Sequence, residues 1–322
     1  MRFLVTGGGG FIGSHLCAEL INRGHYVICL DNFETGKVEN LANLIPKDNF
    51  KLIIGDVTTP TYFDVDGIFN LACPASPAFY QQDPIKTSKT NFLGSLNVLN
   101  LAKEKNIRIL QASTSEVYGD PIISPQNENY WGNVNPIGIR ACYDEGKRIA
   151  ETLFFDYHRM YGADIRVARI FNTYGPNMAI NDGRVISNFI VQSIRKQTLT
   201  VYGDGSQVRS FCYIDDLVDG LLKLFFSEPI YEPINLGNPE PISIGILATK
   251  IQEISAKELN IPYLPQNYNV DYYSLPSDDP KIRIPDITKA LNLLKWTPKI
   301  PLEEGIILTL NYFMKIINEK ND

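Results

Sequence analysis

Apolar residues in the first 170 positions come in short unbroken runs, without the strict alternation of a sheet that has one wet face. Phe3 to Val5, Tyr26 to Leu30, Phe50 to Ile54, Gly67 to Leu71, Ile107 to Ala112 and Ile165 to Ile170 each read as a strand covered on both sides. Longer stretches between them carry helical patterns: Ser14 to Arg23, closed by Gly24, then Pro84 to Lys105 and Cys142 to Tyr161. After Gly175-Pro176 loops lengthen, helices shorten and prolines cluster at Pro262, Pro265, Pro276, Pro280 and Pro285. The pattern predicts a first domain over 1–174 and a smaller C-terminal lobe over 175–322, with a segment near 212–238 returning to the first domain.

Strand–helix alternation predicts an α/β fold, a doubly wound parallel sheet of Rossmann-like type. The first strand runs directly into Thr6-Gly7-Gly8-Gly9-Gly10-Phe11-Ile12-Gly13. Gly7, Gly10 and Gly13 are spaced G-x-x-G-x-x-G and open a helix, where backbone N–H groups can approach a pyrophosphate. The alternative is a flexible strand–helix loop. Asp31 ends the second strand, where its carboxylate suits adenosine ribose hydroxyls and repels a 2′-phosphate, so NAD is favoured over NADP. A turn-capping role before Asn32 is the competing reading. Asp56 ends another strand and meets the adenine or caps its own turn.

Charge and cysteines narrow the field. The net charge of −6 and the lack of a basic run argue against nucleic acid as a partner. Cys17, Cys29, Cys73, Cys142 and Cys212 are scattered without a CxxC pair, as expected of reduced thiols. The first strand begins at once and no apolar run reaches membrane-spanning length, so the expectation is a cytoplasmic protein with no membrane partner. His15, His25 and His158 do not cluster, and no metal is expected.

The residues that point to chemistry are Tyr143 and Lys147, at i and i+4 on one helix face. An ammonium there can depress the phenol pKa and make it a base; a surface pair is the bland alternative. Upstream, Ser113-Thr114-Ser115-Glu116 ends a strand, where hydroxyls can hold a substrate oxygen. Plain hydride transfer has no evident use for Glu116.

With these motifs, Ser115-Glu116-Val117-Tyr118-Gly119-Asp120-Pro121 and Arg140 to Arg148 above all, the chain resembles the extended short-chain dehydrogenase/reductase family along its whole length. It is most similar to the branch that decarboxylates UDP-glucuronate. That resemblance implies NAD as cofactor, UDP-glucuronate as substrate, UDP-xylose as product and a homodimer pairing the helices near Pro84–Lys105 and Cys142–Tyr161. It implies C4 oxidation with Tyr143 as base and Lys147 lowering its pKa, loss of CO₂ from the β-keto acid, and re-reduction. Thr114 or Ser115 holds the keto oxygen. Glu116 shuttles a proton or repels the substrate carboxylate, with a structural carboxylate as the alternative. Arg209 meets the carboxylate and phosphates, or else forms a salt bridge between lobes. At the cofactor the resemblance adds Phe11, Ile12, Asn32, Thr35, Gly36, Val57, Leu71, Cys73, Thr90, Ala112 and Thr173. At the substrate it adds Tyr80, Asn172, Arg184, Tyr202 and Arg283. Asn177, Ala179 and Cys73 depart from the family pattern. The rivals are a UDP-hexose 4-epimerase, a dTDP-glucose 4,6-dehydratase, a UDP-apiose/xylose synthase and, in another class, a non-catalytic nucleotide sensor.

Overall fold

A computed structural model describes residues 1–60, 62–260, 270–275 and 278–319; Pro262, Pro265 and Pro276 lie outside them. The unbroken apolar runs become one seven-stranded parallel sheet: β1 (Arg2–Thr6), β2 (Tyr26–Asp31), β3 (Phe50–Ile54), β4 (Gly67–Asn70), β5 (Arg108–Thr114), β6 (Ile165–Ile170) and β7 (Pro233–Leu236). Their order is β7-β6-β5-β4-β1-β2-β3. Both faces are covered: Phe3 and Val5 pack into one apolar layer with Leu16, Leu20 and Phe225, while Leu4 packs into the other with Ile68, Leu99 and Phe154. Successive side chains point to opposite faces, so a strand buried on both sides must be apolar throughout.

Chain direction across the sheet reverses between β1 and β4, which opens a crevice at their C-terminal ends, where open α/β sheets bind ligands. A polar staple holds that edge together. The Thr6 hydroxyl donates to Asn70 Oδ1 at 2.7 Å and accepts from the Leu71 and Ala72 amides, while the Asn70 amide donates to Gln111 at 2.7 Å.

The first helix runs over Phe11–Asn22, three residues earlier than its apolar pattern suggests, because the Gly10 carbonyl already accepts from the Ser14 amide at 3.0 Å. The stretch after Asp83 is not one uniform helix. It runs as Pro84–Lys89, a wider π turn over Thr90–Gly94, and Ser95–Lys105. Such turns recur at functional sites, and here the turn brings Thr90 to the crevice wall.

Beyond the sheet, helices Val185–Ile194, Ile244–Glu258 and Leu302–Asn318 pack together. A small sheet beside them pairs Val208–Ser210 with Pro241–Ser243 and Ile282–Arg283. In that sheet Arg283 lies opposite Arg209, although 74 positions separate them in the chain.

Candidate active site

A cavity of about 800 Å³ lies between the C-terminal edge of the main sheet and the small sheet. Of the residues expected at a cofactor, all but Gly36 line it; of those expected at the substrate, all but Tyr80 do. Gly36 instead packs against the backbone of Gly9, where an added Cβ would come to 2.9 Å. Tyr80 is 0% exposed and lies behind Tyr143, the rings parallel at 5.0 Å. It does not line the cavity; it backs the Tyr143 ring, which does.

The glycine turn fits a dinucleotide. Gly7 has φ +70°, and a Cβ there would meet the Ala72 backbone at 2.9 Å; at Gly13 it would meet the Gly7 carbonyl at 2.2 Å. Only bare backbone allows turn and helix to close this tightly and leave amides facing the cavity. Asp31 has the turn-capping geometry without leaving the cavity wall. It accepts from the Gly9 and Phe33 amides at 2.8 Å each and still lines the cavity. Asp56 accepts from Thr58 and Asn32, the turn-capping geometry.

Helix Ala141–Tyr161 carries Tyr143 and Lys147. Glu151 locks it to the sheet, accepting from Ser113 at the end of β5 and from Arg169 on β6 at 2.8 and 3.0 Å. Lys147 Nζ donates to the Ala112 carbonyl at 2.9 Å and sits 5.8 Å from the centre of the Tyr143 ring. The expected depression of the phenol pKa does not follow from this pair. Burial pushes the Tyr143 phenol up and the nearby Glu116 anion adds to it, with Thr114 offsetting only part. Burial also lowers the Lys147 ammonium.

Thr114 ends β5 and its hydroxyl accepts from the Glu116 amide at 3.2 Å, turning the chain into the short helix Ser115–Tyr118. That turn aims Glu116 at two buried arginines. Glu116 Oε2 lies 2.7 Å from Arg140 Nη2, and Oε1 lies 3.5 Å from Arg283 Nη1. Burial alone would raise the carboxyl, but Arg140 and Arg283 hold it down at about 2, a charged group at every working pH.

The two candidate arginines differ. Arg209 lines the cavity, but its guanidinium is spent on Asp279 at 2.9 Å and on the carbonyls of Val208, Pro280 and Lys281. It ties the small sheet to the Asp279 loop, a salt bridge within the C-terminal lobe and not one between lobes. Arg283 is loosely held, at 3.4 Å from Asn172 Oδ1, and among the described residues its buried Nε has no partner. Arg283 is therefore the less constrained of the two guanidiniums. Arg184 reaches Asp182 at 3.1 Å, and Tyr202 stands half exposed on the rim near Tyr273.

Arg140, Asp144 and Asp279 complete the cluster and were not singled out from sequence. Arg140 links Glu116 to Asp279 at 3.3 Å, and burial with the Glu116 anion pushes Asp144 up to about 8. Charged side chains next to Tyr143 on a predicted helix were the available signal.

The sequence profile of the NAD dependent epimerase/dehydratase family matches residues 3–237. UDP-glucuronic acid decarboxylase 6 of Arabidopsis thaliana is 53% identical over 309 residues, 96% of this chain and 87% of that protein. UDP-glucuronic acid decarboxylase 1 of Danio rerio is 53% identical over 98% of this chain and 73% of its own length. Among solved structures, UDP-glucose 4-epimerase of Thermotoga maritima with UDP-glucose superposes at TM-score 0.88, with 30% identity, over 98% of this chain and 100% of that one. UDP-glucuronic acid 4-epimerase of Bacillus cereus, in complex with UDP-glucuronic acid and NAD, superposes at 0.86 with 27% identity over the same shares. The glycine cradle, the doubly wound sheet and the Tyr143–Lys147 helix agree with that likeness, and the chain belongs to the NAD-dependent epimerase/dehydratase family, the extended short-chain dehydrogenases/reductases.

Proposed function

We propose that this chain converts UDP-glucuronate to UDP-xylose and CO₂, with NAD as a cofactor regenerated in each cycle. The observation that carries the reading is Glu116, a buried anion between Arg140 and Arg283 and close enough to Tyr143 to raise its phenol. An epimerase has no evident need for that carboxylate, and relatives 53% identical over nearly the whole chain are named decarboxylases.

Gly7, Gly10, Gly13 and Asp31 would hold the cofactor. Bound there, NAD⁺ supplies a hydride acceptor and donor for substrate C4 and brings a positive charge into the cavity. Tyr143 takes the proton of the C4 hydroxyl, its ring set by the stack on Tyr80. Lys147, anchored on Ala112, keeps an ammonium beside the phenol. Thr114 lines the cavity with that phenol and offsets part of its upward shift, and its hydroxyl can steady negative charge developing on the C4 oxygen. Arg283 lines the cavity and offers its guanidinium to the substrate's anionic groups. The 4-keto sugar is a β-keto acid, so the ketone accepts the electron pair when CO₂ leaves. Asn172, Arg184 and Tyr202 are assigned to the UDP moiety.

Incubating purified protein with UDP-glucuronate and NAD⁺ and following the nucleotide sugar by NMR tests the reading. UDP-xylose is the expected product. UDP-galacturonate in its place would make the chain an epimerase, and a mixture with UDP-apiose would make it an apiose/xylose synthase.

A homodimer is the proposed assembly. Ile85, Phe92 and Leu93 on the Pro84–Lys105 stretch, with Ile149, Met160 and Tyr161 on Ala141–Tyr161, leave apolar side chains exposed, the kind of surface that marks an interface. Sedimentation should give twice the chain mass, and Phe92→Glu with Met160→Glu should halve it. A wild-type monomer at micromolar concentration rules the dimer out. Among the described residues no helix is long and apolar enough to cross a membrane.

A further inference from the structure

Decarboxylation consumes a proton from outside the reactants. When the C5–C6 bond breaks, CO₂ leaves and its electron pair passes into the enolate; C5 must then bond to a proton. The proton that Tyr143 removes from the C4 hydroxyl returns to that oxygen on reduction, so it is not the source. Water has to supply the other one, and the cavity wall around Glu116 is buried.

Behind that wall lies a second cavity of about 300 Å³. Glu116 lines only the main cavity and Asp144 only the second, while Arg140 and Asp279 line both. Exposed Asp120, Asn133 and Lys281 also line it, so it reaches solvent. Asp144 and Glu116 lie close enough across the wall for each carboxyl to shift the other. Asp144 Oδ1 is buried, and among the described residues it has no hydrogen-bond partner. Two carboxyls this close disfavour a double negative charge, which favours holding one proton between them.

We propose that Asp144 is a proton-relay residue, carrying a proton from water in the second cavity to Glu116 for delivery to C5. The inference rests on the decarboxylase reading. Arg140 and Arg283 hold the Glu116 carboxyl low, and burial beside that anion pushes Asp144 up, so a proton held between the two favours Asp144. Asp144 gives its O–H proton to one oxygen of the Glu116 carboxylate, and the Glu116 carboxyl so formed passes a proton to C5 of the enolate and returns to the anion. The Asp144 carboxylate then regains one from water. One proton enters and one leaves the pair in each turnover, with no change of oxidation state.

Asp144→Asn keeps shape and can still donate to Glu116, but it cannot release a proton. The expected result is a kcat for UDP-xylose lower by about 100-fold, the low end of general acid–base effects. KM for UDP-glucuronate should stay within about twofold of wild type, as for a step made after binding. Asp144→Ala should show the same loss and recover at least about tenfold with added formate, a carboxylic acid small enough for the second cavity. Thermal melts identify folded variants, and Asp144→Ser takes over the rescue measurement if the Ala variant does not fold. A folded Asn variant with wild-type kcat, or a folded small variant that formate leaves unchanged, overturns the relay. Absence of UDP-xylose from the wild-type protein is a separate failure, that of the decarboxylase reading.

Discussion

Tyr143→Phe is expected to lower turnover of UDP-glucuronate by at least about 1,000-fold, within the range for losing a positioned acid–base group. The substitution removes one hydroxyl from a ring packed parallel to Tyr80 at 5.0 Å and leaves that stack in place. Fold and substrate affinity should therefore survive, with kcat falling and KM nearly unchanged. Single-turnover absorbance at 340 nm reads the first step directly. If the Phe variant reduces NAD⁺ at the wild-type rate, Tyr143 is not the base. The upward push on the phenol sharpens the expectation. A phenol that burial and Glu116 hold protonated needs positive charge beside it to work near neutral pH. The rate should therefore rise with pH until that group is ionised in the complex.

Glu116→Gln is expected to separate the two halves of the chemistry. C4 oxidation should fall less than about tenfold, while release of CO₂ and formation of UDP-xylose fall by about 100- to 1,000-fold, so that a 4-keto nucleotide sugar accumulates. The substitution also removes the anion that Arg140 and Arg283 share. Arg140 keeps Asp279 at 3.3 Å, but Arg283 loses its carboxylate partner. Breaking one side of a buried charge cluster costs about 3 kcal/mol, so the melting temperature should drop by several degrees. Equal loss of oxidation and decarboxylation, measured on folded protein by NMR and absorbance, would make Glu116 a structural carboxylate.

Much of the sheet was readable because its strands are buried on both faces, and unbroken apolar runs such as Tyr26 to Leu30 have no other stable use at that length. The Gly7–Gly13 turn was equally plain, since close approach of backbone to backbone leaves no room for a Cβ. Local patterns misjudged details that depend on partners. The helix at Phe11 starts early because the Gly10 carbonyl captures Ser14, and Tyr80 turns away from the cavity because the Tyr143 ring covers it. Arg209 and Arg283 could not be ranked by type or spacing. Strand pairing in the small sheet sets them side by side; the Asp279 loop then ties down Arg209, while Arg283 faces Glu116.

The amino-acid sequence by itself determined the doubly wound sheet, the dinucleotide turn, the Tyr143–Lys147 face and the presence of a carboxylate at Glu116. All of these follow from periodicity, from glycine's lack of a Cβ, or from neighbours within one helical turn. Only the tertiary structure decided the charge state of that machinery. Burial raised the Tyr143 phenol against the expectation from Lys147, and two guanidiniums from distant segments held Glu116 ionised. Burial beside that anion pushed the Asp144 carboxyl up, at a second cavity that no local pattern marks. Desolvation and long-range ion pairing depend on what the whole chain packs around a group, and no stretch of sequence contains that information.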